Sequence, residues 1–197
     1  MLTHPRIAGW QAVLSTLDVE QGRTDHARAV LDRLVERELA SLRSDPFGLG
    51  VLAAGADLCS SVGGAEQAAL LYDALEPYAH LHGCIGQGVA SHGPLARHVG
   101  RLALQCGKLV EADRYLRQAV EAAQGMRSPQ FLSASLLAYA QLLLVNGDPS
   151  GPARAGRLVA RAAEIADSHG MNGFRRYAVG LTAECERRRK PVGQKSA

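Results

Sequence analysis

The sequence predicts an all-α protein built from repeated helical hairpins, and three observations carry that reading. First, Ala and Leu dominate a chain with only 5% aromatic residues. Helices use that composition well, whereas sandwiches and barrels draw on β-branched and aromatic side chains. Second, Gly22, Gly63, Gly107 and Gly147 each follow a Leu/Ala-rich stretch, at intervals of 41, 44 and 40 residues. Glycine after a helical run is a common C-terminal stop. Third, each glycine opens a new stretch with apolar residues at helical spacing: Ala27, Val30, Leu31 and Leu34 after the first, and Ala68, Leu71, Tyr72 and Leu75 after the second. Leu116, Ala119 and Val120 follow the third, and Leu158, Val159 and Ala162 the fourth. Spacing near 3.6 makes each set a stripe on one helix face.

The resulting helices span residues 4–20, 24–42, 46–62, 64–81, 94–106, 109–125, 128–146, 151–168 and 172–189. Turn chemistry supports the breaks. Ser44-Asp45-Pro46 and Ser128-Pro129 each place a capping residue before a first-turn proline. Asp148-Pro149-Ser150-Gly151-Pro152 is a longer loop. The main interruption is residues 83–93, with glycines at 83, 86, 88 and 93. Ala27, Ala68 and Ala112 stand five positions after their turn glycines. Ala155 does so after a three-residue insertion, and Ala119 and Gly100 add further small positions in the third repeat. Small residues there let paired helices approach closely, which is tetratricopeptide logic. The fold class is therefore a right-handed tetratricopeptide-like superhelix of about four helical hairpins plus a C-terminal helix. Tetratricopeptide units repeat every ~34 residues, so the longer interval here implies longer helices or loops. A repeat cannot bury its apolar face alone, and stacking buries it. One repeat domain over residues 1–189 and a disordered basic tail over 190–197 are expected.

The formal charge of +3 is uneven. Residues 171–197 hold seven basic and two acidic side chains, a balance of +5, which leaves −2 for the first 170. The array is nearly neutral, so direct nucleic-acid binding is not expected. Arg187-Arg188-Arg189-Lys190 reads as the solvated end of the last helix, with phosphate contact as the alternative. No apolar run reaches the ~18 residues of a membrane span, and the first residues lack a basic-then-apolar leader. A cytoplasmic protein follows. Cys59, Cys84, Cys106 and Cys185 have no ribbon or redox spacing, and Cys59 and Cys106 read as small buried hydrophobes.

Several segments together resemble a known family. They are the run Ala69-Leu70-Leu71-Tyr72-Asp73-Ala74-Leu75-Glu76-Pro77-Tyr78-Ala79, the helix Gly93-Pro94-Leu95-Ala96-Arg97-His98-Val99-Gly100-Arg101-Leu102-Ala103 and the turn Gly107-Lys108-Leu109-Val110-Glu111-Ala112. Tyr139-Ala140, His169-Gly170-Met171 and the stretch from Asp45 to Gly63 continue the pattern. In this order they resemble the C-terminal helical-repeat region of large bacterial ATP-binding LuxR-type transcriptional regulators and of related adenylate-cyclase-like proteins. The resemblance covers roughly residues 5 to 175. The family's Gly-x-x-x-x-Gly-Lys-Ser/Thr phosphate loop is missing, because Gly107-Lys108 runs into Leu109 without the upstream glycine. A helix-turn-helix segment is missing as well. The resemblance therefore implies the sensor or scaffold part standing alone. Such a superhelix takes a protein partner or small effector in its concave groove and performs no chemistry, in transcription regulation or signalling. Neither an enzymatic activity nor a cofactor is expected. Pairing with a second copy through an exposed end of the array is a further expectation.

Four of the seven histidines, His80, His82, His92 and His98, lie within 19 residues. His80-Leu81-His82-Gly83-Cys84 alternates metal-ligand types. Against a metal there, the spacing matches no zinc motif, no carboxylate is near in sequence, and imidazoles suit a helix C-terminus. No metal is expected, and a small helical enzyme or metal-binding protein using the His80–His98 region is the alternative. Long loops on rigid scaffolds often carry function, so Ser91, His92, Arg97 and His98 are the candidate ligand- or partner-binding residues, against a plain connector. Ser91-His92 lacks a nucleophile-elbow motif. Trp10 reads as packing the first repeat, with partner anchoring as the alternative.

Overall fold

The computed structural model describes residues 5–42, 44–45, 47–85 and 90–189. The chain is mostly helical, and it divides into two compact units, residues 1–115 and 116–197. In the first unit, α1 (Pro5–Glu20) turns at Gly22 into α2 (Thr24–Arg33), which continues through a π-helical turn, Leu34–Glu38, into α3 (Leu39–Leu42). Then come α4 (Gly48–Val62), α5 (Ala65–Leu75) with a 3-10 turn (Glu76–Tyr78), strands β1 (His82–Ile85) and β2 (Ala90–Pro94), α6 (Leu95–Gln105) and the start of α7 (Leu109–Gly125). The second unit holds the rest of α7, α8 (Pro129–Val145), α9 (Gly151–Ser168) and α10 (Asn172–Arg189). The expected disordered tail, residues 190–197, lies outside the described residues. So do residues 86–89 of the glycine-rich stretch and the side chain of Trp10.

Within the first unit α1 packs on α2 and α4, and α4 on α5 and α6. Leu31, Leu34, Leu52, Leu58, Leu71, Leu75, Leu95 and Leu102 are all but fully buried there. A buried leucine is worth about 1.5–3 kcal/mol, so these side chains are the main cohesion of the unit. Ala27, Ala68 and Ala112 have no exposed surface, which agrees with close helix approach five residues past each turn. In the second unit α8, α9 and α10 all contact one another, around Leu136, Leu137, Val159 and Ala162.

Two elements differ from the sequence reading. The helix expected over 64–81 ends its α-helical part at Leu75. Pro77 has no N–H to donate to Asp73, so the chain tightens into the 3-10 turn. The expected interruption at 83–93 contains an antiparallel hairpin, which pairs His82 with Pro94, Gly83 with Gly93, Cys84 with Ser91 and Ile85 with Ala90. The register slips between Gly83 and Cys84, leaving His92 as the extra residue of a bulge. Gly83 is closely packed, because a Cβ there would sit 2.9 Å from Leu95 Cδ2 and 3.1 Å from His92 Cβ, so that the Leu95 side chain would have to shift.

Gly151 is a similar constraint in the second unit. A Cβ at Gly151 would fall 2.2 Å from the backbone oxygen of Leu143. That atom belongs to a helix and cannot swing aside. Gly151→Ala is expected to force α9 away from α8 and to cost about 2 kcal/mol, read as a lowered urea midpoint. A midpoint equal to that of the parent protein would show that the contact yields freely.

Candidate functional site

The candidate site is a charged node in the first unit, assembled from α4, β2 and α6. Asp57 is the one charged side chain of α4. A lone carboxylate in such an apolar helix needs partners, and α6 supplies them. Arg97 Nη1 donates to Asp57 Oδ1 at 3.1 Å and Arg97 Nη2 to Oδ2 at 3.3 Å. Arg101 Nη1 donates to the same Oδ1 at 2.8 Å. Gln105 completes the row by donating to Gly63 O at 2.7 Å and Cys59 O at 3.3 Å. Arg97, Arg101 and Gln105 are four residues apart, so one α6 face makes the seam. Its last member binds the carbonyl of Gly63, which caps α4, and shares that of Cys59, which also accepts from Gly63 N.

The histidines enter the node from two sides. His98 has no exposed side-chain surface. Its Nε2 lies 2.8 Å from Arg97 Nη2 and 3.2 Å from Asp57 Oδ2. A guanidinium can only donate, so the shorter contact assigns the Nε2 lone pair as acceptor and places the proton on Nδ1. That Nδ1 is buried without a partner among the described residues. The bulge turns His92 inward, with its ring edge-on to His98 at a centroid distance of 5.8 Å. His92 Nε2 and Arg97 Nε are also buried without partners there.

Electrostatics follow from this crowding. Burial alone would raise the Asp57 carboxyl, but Arg97, His98 and Arg101 outweigh it and hold the carboxyl well below its ordinary value. Burial and then Arg97 push His98 down to about 4, against the attraction of Asp57. Burial also lowers His92, with Asp57 opposing. At neutral pH both imidazoles are uncharged, so two guanidiniums and one carboxylate leave the node at +1.

Asp57, His92 and His98 form a set of three metal-ligand side chains whose ligating atoms lie within 4.8 Å of one another. Two imidazoles and a carboxylate suit a borderline divalent metal. Charge works against a cation here, because Arg97 already spans Asp57 and His98. A metal would have to displace that guanidinium and tolerate Arg101 beside it. As folded, the node is an ion-pair seam that ties α4 to α6, and the hairpin meets it through the His92 ring against His98.

The four residues picked from sequence divide into two kinds. Arg97 and His98 face inward, with 12% and 0% of their side chains exposed. They belong to the seam between α4 and α6. Ser91 sits in the exposed part of β2, but its Oγ is engaged, donating to Gly83 O at 3.2 Å and accepting from Gly93 N at 3.0 Å. His80, His82 and Cys84 are exposed and lie outside the Asp57 set. Sequence reasoning passed over Asp57, Arg101 and Gln105. The available signals were the lone charge of α4 and the four-residue spacing on α6.

No protein-family model, characterised protein or solved structure matches the chain.

Proposed function

We propose that the chain is a non-catalytic binding module, a tetratricopeptide-like helical repeat akin to the sensor region of ATP-binding LuxR-type regulators and adenylate-cyclase-like proteins. It takes a protein segment or a small effector in transcriptional or signalling control. The observation that carries this reading is the hairpin beside the node. Three hydrogen bonds from α6 to Asp57 spend the charge of the node internally, while His82, Cys84, Ala90 and Ser91 stay exposed at the strands. Charge satisfied inside the unit leaves these exposed strand residues for recognition, and a pre-ordered surface binds at low ordering cost.

A second reading, a metal-binding protein, is favoured by the Asp57–His92–His98 set. One preparation separates the two. The purified chain is expected to contain no stoichiometric zinc or iron by elemental analysis and to capture a partner from its native host. A variant carrying His82→Ala and Ala90→Arg is expected to lose that partner with its helical circular dichroism intact. Metal at one equivalent per chain that is lost in His92→Ala would establish the second reading and sink the first.

A further inference from the structure

We infer that α1 is the face through which two copies of the chain pair, antiparallel about a two-fold axis. This goes beyond the reading of the hairpin and uses none of its residues. The first observation is that α1 is apolar on two opposite sides. Ala12 and Ser15 are buried, at 0% and 1% exposure, on the side that packs on α2 and α4. Leu14 and Leu17 stand on the other side, 57% and 49% exposed. Spacings of three, four and three positions place Ile7, Trp10, Leu14 and Leu17 in one stripe along that side. A surface helix ordinarily turns a polar face to water, and a helix that is apolar all round is a buried one. At Leu14 and Leu17 the outer stripe has no such cover.

The second observation is the symmetry of that stripe. Ile7 and Leu17 each lie five positions from residue 12, and Trp10 and Leu14 each lie two. A two-fold contact between identical copies needs a patch that fits its own rotated image. With the axis level with residue 12, Ile7 comes opposite Leu17 of the second copy, and Trp10 opposite Leu14 of the second copy. Each pairing occurs twice, and the tryptophan pairs fall nearest the centre, where anchors contribute most.

Charge selects both the orientation and the occupant. Arg6 and Glu20 are fourteen positions apart, close to four full turns, so they flank the same edge of the stripe at its two ends. Glu20 is exposed and has no ion pair among the described residues, whereas Asp18 is already taken by His26 at 2.7 Å and by Arg23. Antiparallel pairing sets Arg6 of each copy beside Glu20 of the other and opposes the two helix dipoles. Parallel pairing would set Arg6 against Arg6 and Glu20 against Glu20. An unrelated partner has no need of this match between the two ends of one helix, and a second copy supplies it. A helix of 16 residues is about 24 Å long. Such a contact is smaller than the ~800 Å2 per partner of a standard interface, so pairing is weak and depends on concentration.

The test is the mass of the full chain in solution, measured by light scattering across a concentration series. The mass is expected to rise from one copy to two, with a midpoint on the order of 10 µM. Leu14→Glu is expected to weaken pairing at least about tenfold, with helical circular dichroism unchanged because this side chain is exposed in the single copy. Leu70→Glu, at a leucine of α5 that is 43% exposed, is expected to leave pairing as it was. Charge exchange tests the orientation without touching the apolar stripe. Arg6→Glu and Glu20→Arg are each expected to weaken pairing about fivefold, and the chain carrying both is expected to recover the parent value. A single-copy mass up to about 500 µM, undiminished pairing in Leu14→Glu, or a double exchange as weak as either single one would each overturn the assignment.

Discussion

Asp57→Ala is expected to lower stability by about 3–4 kcal/mol, the largest single-residue effect in the first unit. The substitution removes the carboxylate that Arg97 and Arg101 both bind, and their side chains are only 12% and 22% exposed. Removing one partner of a buried ion pair costs about 3–5 kcal/mol, because the charge left behind must be desolvated alone. Asp57 is itself a quarter exposed, which places the effect near the lower end of that range. Arg97→Ala is expected to cost less, about 1–2 kcal/mol, since Arg101 still reaches the carboxylate. The order of the two variants is the informative result. The urea midpoint measures the global loss, and amide exchange of His82–Ile85 measures the hairpin, which meets the node through His92. If Asp57→Ala stays within about 1 kcal/mol of the parent, the node behaves as a surface pair and not as a buried seam.

The node also shows what could be read before any coordinates. Helix positions were legible because each is a local fact: an apolar stripe at helical period, ended by glycine or opened by Ser-Pro. Gly151–Ser168 and Asn172–Arg189 fall close to where those signals put them. The hairpin was not legible. Strands of four and five residues are too short for alternation to register, and their register is set by a bulge and by Gly83 against Leu95, a tertiary contact. His92, Arg97 and His98 do converge, but the residue that organises them lies 35 to 41 positions earlier in the chain. Asp57 was hidden because it looks like an ordinary polar interruption of an apolar helix. The sequence makes Arg97 a ligand- or partner-binding candidate and passes over Arg101, because spacing on α6 reveals a shared face and not what the face meets.

Acidification is expected to destabilise the first unit well above the pH at which carboxylates titrate, and His98 is the cause. Its ordinary value of 6.5 falls to about 4 in the folded protein, through burial and the neighbouring Arg97 guanidinium, with Asp57 pulling the other way. Between those limits the unfolded chain binds a proton that the folded chain refuses. Stability is therefore fully present above about pH 6.5 and is lost as the pH falls towards 4. At about 1.4 kcal/mol per unit, the window amounts to roughly 3 kcal/mol. His92 is lowered for the same first reason and adds in the same direction. Asp57, held well below its ordinary 3.8, contributes stability that is present above that value and is lost only at more acid pH, so the two effects separate along the pH axis. Urea midpoints from pH 7 to pH 4 for the parent and for His98→Gln resolve the assignment. The parent curve is expected to fall steeply and the variant curve to be markedly flatter, because glutamine takes up no proton in either state. Parallel curves would place the acid sensitivity elsewhere, and a directly measured His98 ring titration near 6.5 would remove its cause.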